Sequence, residues 1–86
     1  MQLRLVDEVL DLGARGVALL CDEEGAAVRP GQLLRDARGN AHRVASVAGE
    51  NGLLTLHIPG GDAAYFGRLF RDVRVDGPLF TVEDAP

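Results

Sequence analysis

Cys21, His42 and His57 are the residues whose types could do chemistry, since a thiol beside an imidazole makes a nucleophilic pair and the same groups with an aspartate could hold zinc. Their spacing matches no local motif of the CxxC or HExxH kind, so neither a metal site nor a catalytic nucleophile is expected. In Leu53-Leu54-Thr55-Leu56-His57-Ile58, Leu54, Leu56 and Ile58 share one strand face, which predicts that His57 faces solvent with Thr55. His42, just past a hairpin turn, is likewise expected to be exposed. Cys21 reads as a small apolar strand residue, and a lone cysteine excludes an intramolecular disulfide.

The carboxylates offer general acid-base chemistry only if two of them converge. Asp22-Glu23-Glu24 are consecutive, so on an extended turn they diverge into water and read as a charged hairpin tip. Asp7, Glu8 and Asp11 interrupt the first apolar run and can protect a strand edge from pairing with other chains. The chain has no lysine, which rules out a GxxxxGK[ST] phosphate loop and lysine Schiff-base chemistry. No enzyme activity and no cofactor is expected.

The elements that position these groups are mostly strands, predicted at 3–12, 16–21, 27–35, 41–48, 53–58 and 77–82. Gly13-Ala14-Arg15-Gly16, Asp22-Glu23-Glu24-Gly25, Pro30-Gly31 and Glu50-Asn51-Gly52 read as turns. Arg38-Gly39-Asn40-Ala41 predicts a two-residue hairpin turn, which would set Asp36 opposite Arg43 as an exposed ion pair. One short helix is expected over 62–71, opened by Asp62 as N-cap, with Tyr65, Phe66, Leu69 and Phe70 on one face. That face either plugs the barrel end or covers a sheet edge, or else forms a partner-binding ridge. The candidate protein contacts are accordingly Tyr65, Phe66 and Phe70.

With 86 residues, 47% of them hydrophobic, residues 1–86 read as a single domain. A net charge of −4 argues against nonspecific nucleic-acid binding, and no DNA partner is expected. Residues 29–45 depart from that balance: Arg29, Arg35, Arg38 and Arg43 against Asp36 make the segment net +3. No uncharged stretch is long enough to cross a bilayer, and the N-terminus meets Asp7-Glu8 instead of an apolar leader, so a cytoplasmic protein without a membrane partner is expected.

The order of these signals resembles the second-domain β-barrel of translational GTPases of the elongation factor Tu type. The resemblance is carried by Val6-Asp7-Glu8-Val9, Gly13-Ala14-Arg15-Gly16-Val17-Ala18, Glu24-Gly25 and Val28-Arg29-Pro30-Gly31-Gln32-Leu33-Leu34. Arg43-Val44-Ala45-Ser46-Val47, Leu54-Thr55-Leu56-His57-Ile58 and Asp76-Gly77-Pro78-Leu79-Phe80 look like the strands that complete it. Gln32 stands where the family has aspartate, and the stretch from Gly61 to Asp76 is longer and more aromatic than its counterpart. The resemblance implies a small closed antiparallel β-barrel of about six strands, and a module that in its parent enzymes packs on a GTPase domain and contacts tRNA or the ribosome. Two functions follow as expectations. One is a module for protein partners; the other is an RNA- or ribosome-contacting module using Arg15, Arg35, Arg38 and Arg43.

Overall fold

A computed structural model of the chain describes residues 2–22 and 28–85. The acidic turn at 23–25, with the Glu24-Gly25 pair, lies outside the described residues. The elements are β1 (Gln2–Asp11), a 3-10 turn (Gly13–Arg15), β2 (Val17–Asp22), β3 (Leu33–Arg35), β4 (Ala41–Arg43), β5 (Ser46–Glu50), β6 (Leu53–Ile58), α1 (Ala63–Arg71) and β7 (Leu79–Glu83). The seven described strands form one antiparallel sheet in the order β4-β3-β7-β1-β2-β6-β5.

The sheet curls for a visible reason. β1 pairs with β7 through Gln2–Arg4 and with β2 beyond Leu5, and between Leu5 and Val9 its register against β2 shifts. Such an irregularity bends a strand and increases its twist, which lets the two ends of β1 serve differently directed neighbours. The curl brings the outer strands together: β4 and β5 stand at opposite ends of the order, yet only Val44-Ala45 separates them. Val44 donates to the Gln32 carbonyl on one side, and Ala45 donates to the His57 carbonyl on the other. One continuous segment therefore belongs to both edges, although among the described residues no ladder pairs β4 with β5. The chain is mainly β, as expected, and its described ladders leave the sheet open.

Alternation fills the concave side. Val17, Leu19 and Cys21 of β2 face Leu54, Leu56 and Ile58 of β6, and Leu3, Leu5, Leu34, Val44, Phe80 and Val82 complete the interior. Helix α1 closes it with Phe66 and Leu69, each fully buried. Burying one such side chain contributes about 1.5–3 kcal/mol, so a helix too short to stand alone is held by its docking. Its start is where the sequence places it: the Asp62 carboxylate accepts from the Ala64 N–H at 2.9 Å.

Two predicted strands are corrected. Within 27–35 only Leu33–Arg35 is strand among the described residues, because Gly31 donates to the Val44 carbonyl and Gln32 to that of Arg29, closing a turn at Pro30-Gly31. The strand predicted at 41–48 is broken at Val44-Ala45, the corner where the chain changes sheet edges.

The hairpin register is also corrected. Arg35 pairs with Ala41, Leu34 with His42 and Leu33 with Arg43, and Asp36 donates its N–H to the Asn40 carbonyl. The loop is thus longer than two residues, with Gly39 at positive φ as its left-handed position. An odd shift of register turns β4 over. His42 consequently faces the interior, Arg43 faces out, and Asp36, in phase with Leu34, is buried instead of pairing with Arg43.

Candidate functional site

The densest polar cluster of the described residues lies where the β3–β4 hairpin meets α1. Asp36 Oδ1 accepts from the backbone N–H groups of Arg38 and Asn40, at 2.9 and 3.0 Å. Its Oδ2 accepts from the Tyr65 hydroxyl at 2.6 Å and from His42 Nε2 at 2.8 Å. Asn40 Nδ2 donates to the Tyr65 hydroxyl oxygen, and the Arg38 guanidinium lies over the Tyr65 ring. Burial pushes the Asp36 carboxyl up, but the donors Tyr65, His42, Asn40 and Arg38 together outweigh it and hold the group below the usual carboxylate range. Tyr65 is pushed the other way, first by burial and then because its proton is shared with Asp36.

An Asp–His pair of this kind is also how a general base is oriented. Here Asp36 already takes four donors, the His42 ring packs at 4.7 Å from that of Phe66, and the neighbouring hydroxyl, Tyr65, donates to the same carboxylate oxygen as the imidazole. The arrangement ties a turn, a strand and a helix together. Among the described residues no set of three or more His, Cys, Asp or Glu side chains is placed to hold a metal ion. His57 is half buried, with Nε2 donating to the Arg15 carbonyl at 2.8 Å, and Cys21 is buried with its thiol pushed up by desolvation.

The four candidate arginines are not brought together. Arg35 and Arg43 project from the same outward face of the hairpin, but Arg35 is engaged by both Glu83 oxygens and by the Gly39 carbonyl. Arg38 reaches the other way, to Asp72 at 2.8 Å, and Asp72 also accepts from Arg74. Those donors hold the Asp72 carboxyl far below its usual range. Arg15 sits in the turn between β1 and β2, on the other half of the sheet.

Of the three candidate aromatic contacts, Phe66 is part of the core and Tyr65 and Phe70 pack against it half buried. Phe66 has no exposed surface, Phe70 packs edge-on against Phe80, and Tyr65 is half buried with its hydroxyl on Asp36. Phe66 and Leu69 of this face close the interior, with Tyr65 and Phe70 at its rim.

Sequence reasoning passed over a different surface. The exposed large hydrophobic residues are Val6 (37%), Leu10 (42%), Leu53 (36%) and Val73 (98%), and the first three lie on the outward side of β1 and β6. The pairing rows Leu10–Ala18–His57–Ser46 and Leu20–Thr55–Ala48 place Leu20 on that side as well, between β1 and β6. The signal was present in the run Leu3 to Leu12, where apolar residues occupy both strand faces instead of one. Compared with known proteins, the chain matches no family, no curated protein and no solved structure.

Proposed function

We propose that this chain is a non-catalytic binding module whose partner is a protein, engaged through the outward face of β1, β2 and β6. The observation that carries the reading is the grouping of Val6, Leu10 and Leu53 on one sheet face beside Leu20. Small domains seldom leave such neighbours in water unless another surface covers them. We read the curled sheet as a barrel of the translation-factor type. Support comes from the motif order and from the Val44-Ala45 corner shared by both sheet edges.

A second reading, contact with RNA or the ribosome, is favoured by Arg35 and Arg43 sharing one outward hairpin face. Affinity capture with the tagged chain distinguishes the two, run with and without ribonuclease and with a Leu10→Ser/Leu53→Ser variant. The protein reading expects a discrete partner that survives ribonuclease and is lost from the variant. Components that vanish on ribonuclease treatment and persist on the variant would replace it with the RNA reading.

A further inference from the structure

Building on the protein-contact reading, we infer that the outward β1–β2–β6 face receives an amphipathic helix whose polar flanks are basic. The shape of the occupant follows from the sheet. From β1 to β6 the face is three strands wide, about 10 Å at the usual strand spacing, which is the width of one helix laid along it. An added strand would need an edge, whereas these residues stand on the interior strands of the sheet. Sheets cover an apolar face with helices or with another sheet, and an amphipathic helix presents the matching stripe.

Charge selects the flanks. Glu8 on β1 and Asp22 at the end of β2, the latter paired with Leu53, are exposed beside the patch, and neither forms an ion pair among the described residues. In the opposite half Asp36, Asp72, Asp76 and Glu83 are each matched by an arginine or histidine, while Asp62 caps α1 and Asp84 accepts from Gln32. Beside the exposed apolar residues, Glu8 and Asp22 have neither a cation nor a side-chain donor among the described residues. Of the cations nearby, Arg4 on β1 is held by Asp76 and Arg15 sits in the turn joining β1 to β2. A second copy docking through the same face about a two-fold axis would set these carboxylates against one another, and an acidic helix, RNA or an anionic membrane would meet the same repulsion.

The test is titration of the full chain with three synthetic peptides: an amphipathic leucine–lysine helix, its leucine–glutamate counterpart, and a leucine–lysine permutation without an apolar stripe. The expected result is binding of the first alone, weakened at least tenfold by Leu10→Ser/Leu53→Ser. Glu8→Gln/Asp22→Asn should weaken it too and flatten its salt dependence. Thermal melts of both variants confirm that these exposed substitutions leave the fold intact. Equal binding of the leucine–glutamate peptide, or an unchanged salt slope in the charge variant, overturns the basic-flank inference while leaving the protein-contact reading to the capture experiment. Failure of the leucine–lysine peptide to bind, binding that ignores Leu10 and Leu53, or a dimer that those substitutions dissolve also overturns it.

Discussion

At Asp36, four donors converge on one buried carboxylate, so its removal does more than delete a charge. Asp36→Ala leaves the Tyr65 hydroxyl, the His42 ring and two backbone N–H groups without their acceptor. The expected loss is about 2–4 kcal/mol, read as a lower midpoint in urea with unchanged slope. Tyr65→Phe removes one of the four donors, together with the acceptor of the Asn40 amide, and should cost about 1–2 kcal/mol. Because both substitutions break the same contact, the double variant should lose less than the sum. Strict additivity would show that Asp36 and Tyr65 act separately and that the network does not tie the hairpin to the helix.

At the scale of elements, two glycines that look alike in sequence have different burdens. Gly13 opens the 3-10 turn and Gly16 follows it, both at positive φ, but a Cβ at Gly13 would meet nothing within 4 Å. At Gly16 it would stand 2.2 Å from the Ile58 carbonyl oxygen and 2.7 Å from the Gly60 nitrogen, both backbone atoms that cannot swing aside. Gly13→Ala should therefore cost about 1–2 kcal/mol for its left-handed backbone alone, and Gly16→Ala clearly more, because the β1–β2 turn must also move off β6. Equal midpoints for the two variants would refute the close approach. The same contrast explains what was legible. Helix α1 could be read because its signals are local: Asp62 caps it and its aromatic residues repeat at helical spacing. The hairpin register could not, since it depends on Asp36 finding Tyr65 on a helix distant in sequence. The Val44-Ala45 corner escaped for a similar reason, being fixed by hydrogen bonds to Gln32 and His57 on opposite edges. The exposed leucines were visible as letters, but only the pairing of β1, β2 and β6 gathers them on one face.

For the molecule as a whole, pH should act through its uneven distribution of charge. In the half built around β3, β7 and α1, Asp36, Asp72, Asp76 and Glu83 all have carboxyls lowered by their partners. A lowered folded-state pKa gives stability that is present above the unfolded value, about 4 for a carboxyl, and is lost as pH falls below it. Ordinary salt screens exposed charges beyond about 8 Å, whereas Asp36, buried at hydrogen-bond distance from its donors, is screened much less. The paired carboxyls, with Asp36 foremost, therefore set the acid limb. The thermal midpoint is expected to stay level from about pH 5 to 8 and to fall steeply below about pH 4. Tyr65 sets a second limit, because its raised pKa stabilises the fold below the unfolded value of about 10 and that contribution disappears as the hydroxyl ionises at higher pH. Asp36→Asn should lower the neutral-pH midpoint and flatten the acid limb, and Tyr65→Phe should flatten the alkaline limb while leaving an acid limb. Calorimetric melts from pH 2.5 to 11 read both limbs, and a variant pair whose profiles merely run parallel to the parent would show that the pH response arises elsewhere than in this network.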